Sequence, residues 1–88
     1  MSPIALPQRL TMSDATAELA RLRPLLRAAP QPVIDASSLQ VLDTAALALL
    51  LDCQRMARAR GQELRVTGAP PKLAQLAQLY GVEALLML

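Results

Sequence analysis

The stretch Val33–Leu51, VIDASSLQVLDTAALALLL, decides how this chain folds. Val33 and Ile34 are adjacent β-branched residues without polar alternation, so Pro32 to Ala36 reads as a short strand covered on both faces. Asp35 closes the strand, and Ser37 and Ser38 supply a polar turn. The apolar pair Val41 and Leu42 then precedes Asp43, and from Ala45 the residues are strong helix formers. Asp43 or Thr44 is the N-cap. Either oxygen can accept from an unpaired N–H of the first turn, and Asp43 adds negative charge at the positive end of the helix dipole. On spacing alone, a helix cap with no further duty accounts for both residues.

The faces of that helix say more. At about 100° per residue, Ala46, Leu47, Leu50, Cys53 and Ala57 gather into a core stripe. Thr44, Ala48, Leu51, Arg55 and Arg58 gather on another side, beginning with a hydroxyl and ending in guanidinium groups. An exposed Leu51 has no structural reason to lie on a purely solvated face, and the stripe is read as a partner-binding face.

The rest of the chain fits around this unit. Ser2 to Leu10 holds one short strand at a sheet edge, because Pro7 cannot donate to a ladder. Thr11 and Asp14 have capping-box spacing, with Ser13 as a competing cap. From Asp14 to about Ala29, Leu19, Leu22, Leu25, Leu26 and Ala29 recur at helical intervals. Pro24 inside that helix is expected to kink it or split it in two. Gly61 stops the central helix, and Glu63 to Thr67 alternates as a strand with Leu64 and Val66 inward. Pro71 to Leu79 is a helix whose inner face is Leu73, Leu76, Ala77 and Tyr80, with Gly81 as its C′ residue. Val82 to Leu88 reads equally as a short helix or a last strand. The alternation of strands and helices predicts an α/β fold with a small, mostly parallel sheet and helices packed on it.

Composition narrows the function. With 88 residues, 53% hydrophobic and 18% charged, residues 1–88 form a single globular domain. There is no Trp or Phe and one Tyr, so no aromatic platform exists for stacking bases. The net charge of +2 is spread over several segments and does not make a phosphate-tracking stripe. One cysteine and no histidine exclude Ser/His and Cys/His dyads and zinc sites built from several thiolates or imidazoles. Cys53 falls on the core stripe as a small buried hydrophobe. Gly61, Gly68 and Gly81 all sit at element boundaries, so no glycine-rich phosphate loop is present. The longest apolar run, Ala45 to Leu51, is far short of the roughly 20 residues of a membrane span, and no signal peptide is visible. These readings predict no enzyme, no cofactor, no metal, no nucleic-acid partner and no direct membrane insertion. The aspartates Asp35 and Asp43 with Thr44 are the only polar grouping to weigh for catalysis, and no acid or base tuned near neutrality accompanies them.

The run from Val33 to Leu86, and within it LDTAALALLL and KLAQLAQLYGV, resembles the STAS domain, and its MlaB group most closely. The resemblance implies a STAS-like fold, that of anti-sigma factor antagonists, here with the N-terminal hairpin shortened to a single strand. In STAS regulators a Ser or Thr directly after an Asp at this helix start is the regulatory position, and Asp43-Thr44 matches it. The MlaB group implies a non-enzymatic cytoplasmic subunit held at the inner membrane through a phospholipid-transporting ABC system that maintains outer-membrane lipid asymmetry. Its partner would be an MlaF-like ATPase subunit and, indirectly, the membrane permease. The expected contact residues are Thr44, Asp43, Ala45, Ala48, Leu51 and Arg55. The alternative is an anti-sigma factor antagonist switched by phosphorylation of Thr44. Weak self-association through Leu51 stays open.

Overall fold

Pro7 sets the topology of the opening segment. The computed structural model describes residues 3–88, so Ser2 of the expected first strand lies outside the described residues. Where one strand was expected there are two of two residues each, β1 (Ile4–Ala5) and β2 (Arg9–Leu10). Pro7 lies between them, where its missing N–H interrupts the ladder. They do not form a shortened hairpin. β1 runs parallel to β3 (Val33–Asp35), and β2 runs parallel to β4 (Val41–Leu42). The break in the first segment faces a break in the second, the loop at 36–40, and Gln8 C=O accepts from both Gln40 N–H (2.7 Å) and Val41 N–H (2.9 Å). The sequence reading took Val41 and Leu42 only as an apolar pair; their strand exists because this stretch offers it a partner.

β3 is the middle strand of a parallel sheet ordered β1-β3-β5, with β5 at Arg65–Thr67. Ile34 therefore sits opposite both Ile4 and Val66 and is fully buried, as expected for a strand covered on both faces. Helix α1 (Ala15–Ala28) links β2 to β3, and α2 (Thr44–Ala59) links β4 to β5. α3 (Pro71–Leu79) and α4 (Glu83–Leu86) complete the chain, which settles 82–88 as a short helix. α2 packs against α1, α3 and α4 and is the hub of the core. Its expected inner stripe, Ala46, Leu47, Leu50, Cys53 and Ala57, is buried throughout.

Three local outcomes have simple causes. α1 passes through Pro24 without splitting, because Pro24 and Ala20, whose carbonyl loses its partner, both lie on the solvent side. Asp14 does not cap α1 through its side chain; it reaches back to Thr11, accepting from its N–H (3.0 Å) and hydroxyl (2.9 Å), and these bonds lower its pKa. Tyr80, expected on the inner face of α3, is 58% exposed, because the helix ends at Leu79 and the chain turns through Gly81 with φ +70°. That turn closes with Val82 N–H on Ala77 C=O (2.9 Å) and Gly81 N–H on Gln78 C=O (3.1 Å), the Schellman pattern.

Two buried groups in α2 bear on stability. Cys53 is fully buried, and burial first, then the neighbouring Asp52, pushes its thiol up to about 12, with Arg23 opposing. A thiolate is the reactive form, so Cys53 is expected to resist alkylation in the native protein at neutral pH and to be modified fully in denaturant. Mass spectrometry after iodoacetamide treatment checks this, and rapid native labelling would contradict the burial. The other group is Gln54, one position off the core stripe and only 3% exposed. Its Oε1 accepts from Leu64 N–H (2.8 Å), while its Nε2 donates to Leu64 C=O (3.2 Å) and Leu85 C=O (2.9 Å).

Candidate functional site

The five strands of the described residues are parallel to their partners, so the C-terminal ends of β1, β3 and β5 share one edge of their sheet. β3 ends there at Asp35, whose Oδ1 accepts from Ser37 N–H (2.9 Å) and turns the chain. That bond holds the Asp35 carboxyl below its ordinary range. β5 ends beside it at Thr67, whose C=O accepts from Ala36 N–H (2.8 Å), and Gly68 follows with φ +65°. The loop then buries Ala36 and Leu39 and delivers β4 to the start of α2.

At that start the two cap candidates divide the work. Asp43 is the N-cap, and its Oδ1 accepts from Ala45 N–H at 2.8 Å. Its other oxygen, Oδ2, accepts from Met12 N–H at 3.1 Å and so ties the turn before α1 to the head of α2. Thr44 is the first helical residue and is exposed, and its hydroxyl makes no hydrogen bond among the described residues. The capping duty that accounted for both residues on spacing is thus performed by Asp43 alone. Neither Asp35 nor Asp43 is a free carboxylate, since each is engaged by backbone N–H groups.

Below Thr44 the outer face of α2 is a ridge between two shallow grooves. Ala45, half-buried, and Ala48, exposed, line a groove of about 210 Å³ whose far wall is Ala15, Thr16 and Leu19 of α1. On the other side Leu51, Arg55, Arg58 and Leu85 line a second groove, also about 210 Å³. Arg55 is exposed and pairs with Asp52 on the same helix, and Arg58 reaches Glu63 at 3.5 Å.

A family model described as "Mlab, STAS domain" matches residues 2–88. The chain belongs to this STAS domain family. No curated protein matches it. Among the described residues of this STAS domain, no helix is long and apolar enough to cross a membrane.

The six residues singled out from the sequence of the STAS domain fall into two groups. Ala45 and Ala48 line the α1–α2 groove, Asp43 and Thr44 precede them at the start of α2, and Leu51 and Arg55 line the α2–α4 groove. Leu51 is not the freely exposed leucine expected; it is half-buried and packs against the core, because α4 folds back beside it. The sequence reading missed two residues. Met12 is 77% exposed and Val41 is 54% exposed, and both lie next to Asp43, the first through its backbone bond and the second two residues upstream. A signal was present in each case. Met12 is a large apolar residue inside the polar turn Thr11–Asp14, and Val41 alternates with Leu42, which is buried.

Proposed function

We propose that this STAS domain is a non-enzymatic accessory subunit that binds and stabilises the ATPase subunit of a phospholipid-transporting ABC system, docking through the head of α2. On this reading it works in the cytoplasm, held at the inner membrane through the transporter, in the maintenance of outer-membrane lipid asymmetry. Family membership supports an accessory or regulatory role. The observation that carries the choice of surface is the Thr44 hydroxyl at the first position of α2, exposed and without a hydrogen bond among the described residues. Exposed apolar Met12, whose N–H Asp43 holds, and Val41, two residues before Asp43, belong to the same end of α2, and Ala45 and Ala48 line the groove between α2 and α1. A partner laid on this surface would bury apolar area and give Thr44 its missing partner, while Arg55, further along α2 beside the second groove, supplies a polar edge.

Thr44→Glu tests the reading. A carboxylate at the first position of α2 suits the helix dipole, and Asp43 keeps the cap, so thermal stability is expected to be unchanged or slightly raised. Buried in a docked interface, the same charge would stand desolvated beside Asp43, and copurification with the ATPase subunit should fall at least about tenfold. Recovery at the wild-type level would exclude the head of α2 as the contact. The same exposed hydroxyl also suits a kinase, which keeps the anti-sigma antagonist as the second reading. Phosphate found on Thr44 after incubation with a cognate kinase, with no transporter subunits recovered, would favour it.

A further inference from the structure

Away from Thr44, by about 24 Å along α2, the C-terminal ends of α1 and α2 flank a second feature. A cleft of about 220 Å³ opens between them, floored by Leu26, Pro32, Met56 and Ala57. Its rim carries Arg23, Arg27 and Arg60, all exposed, and none of the three makes an ion pair among the described residues. Cations at helix C-termini offset the dipole, but each helix end carries only about half a negative charge. Three guanidiniums against two helix ends leave roughly two positive charges uncompensated. The nearby acid Glu63 is engaged by Arg58.

Gln62 in the wall of this cleft is held by hydrogen bonds from its own amide. Gln62 donates through Nε2 to Ala29 C=O (3.3 Å) and Pro30 C=O (2.8 Å), which fixes its orientation. Its Oε1 faces the protein interior, buried and without a partner among the described residues. Gln62 and Pro32 also border a more polar trough of about 560 Å³ that continues past Glu63 and Arg65. The two depressions thus adjoin at Gln62 and Pro32.

We propose that this cleft is a docking site for an acidic segment of a partner protein, one apolar side chain entering the cleft between flanking carboxylates. Carboxylates pair with guanidinium forks and the apolar floor takes the side chain, as the chain runs on through the trough. A volume of about 220 Å³ accommodates one side chain rather than the body of a two-chain lipid. The site is independent of Thr44 and stands whichever partner that surface meets.

Fluorescence polarisation with the full chain and a labelled Asp-Glu-Leu-Asp-Glu peptide tests this, alongside its Asn-Gln-Leu-Asn-Gln counterpart and phosphatidylglycerol vesicles. Saturable, salt-sensitive binding of the acidic peptide is expected, with at least about tenfold weaker binding of the neutral one. The double variant Arg27→Glu/Arg60→Glu and the filling variant Ala59→Trp, both at exposed positions and so compatible with an unchanged circular dichroism spectrum, should each weaken it about tenfold. Absence of peptide binding, binding indifferent to both variants, or binding of the vesicles in place of the peptide would each overturn the proposal.

Discussion

Replacing Gln54 with leucine is expected to lower the stability of the fold by about 3 kcal/mol, although leucine fits the helix and the apolar surroundings at least as well. The reason lies at the edge of the sheet. Arg65 N–H bonds to Pro32 C=O (3.1 Å) and so turns the Arg65 peptide toward β3. By the alternation of a parallel strand, Leu64 turns its own N–H and C=O the other way, toward an edge with no fourth strand among the described residues. The Gln54 amide fills that place, accepting from Leu64 N–H and donating to Leu64 C=O, and its second N–H holds Leu85 of α4. Leucine would strand two buried backbone groups, at about 1–3 kcal/mol each, and release a third that water can reach. Part of that cost is offset by apolar burial of the new side chain. A urea titration should show an earlier midpoint with an unchanged slope. A shift of less than about 1 kcal/mol would mean that these backbone groups find other partners.

Gly68→Ala should cost a similar amount for a different reason. Gly68 has φ +65°, in the left-handed region, where a side chain adds roughly 1 kcal/mol. The new Cβ would also lie 2.9 Å from Ser37 Cβ, 3.1 Å from Ser37 N and 3.2 Å from Asp35 Oδ1. Those atoms belong to the turn held by the Asp35 to Ser37 bond, and its backbone nitrogen cannot swing aside as a flexible side-chain tip would. Overpacking of this kind costs about 1–3 kcal/mol, giving about 3 kcal/mol in total. Gly61 is the control. It has a comparable φ of +72° but nothing within 4 Å of its Cβ position, so Gly61→Ala should cost only about 1 kcal/mol. Thermal melts of the two variants side by side separate backbone strain from the clash, and equal losses would remove the close approach from the explanation. The displaced turn leads directly into β4 and Asp43, so the same variant also perturbs the foundation of the proposed docking rim.

The long, periodic parts of the fold are legible in the sequence. The inner stripe of α2, the extent of α3 and the inward Leu64 follow from periodicity, since each run is long enough for its apolar spacing to choose one face. The two-residue strands β1, β2 and β4 were not legible in the same way, because two residues carry no period. They exist only because Pro7 and the 36–40 loop break two adjacent segments at matching places. The candidate site divides along the same line. Asp43-Thr44 stood out as a helix start, yet which oxygen does the capping depends on Met12 arriving from 31 positions upstream to occupy the second oxygen of Asp43.

What the sequence by itself determined is the α/β alternation, the aliphatic core and the absence of histidine-based chemistry, because these depend on composition and on spacing within single segments. The tertiary structure alone decided that Thr44 has an unengaged hydroxyl and that Leu51 is half covered by α4. It also decided that Gln54 completes an open strand edge and that three arginines from two helices surround one cleft. Each of these is a question of which groups from distant segments meet, and hydrogen bonds and burial are satisfied in space rather than along the chain.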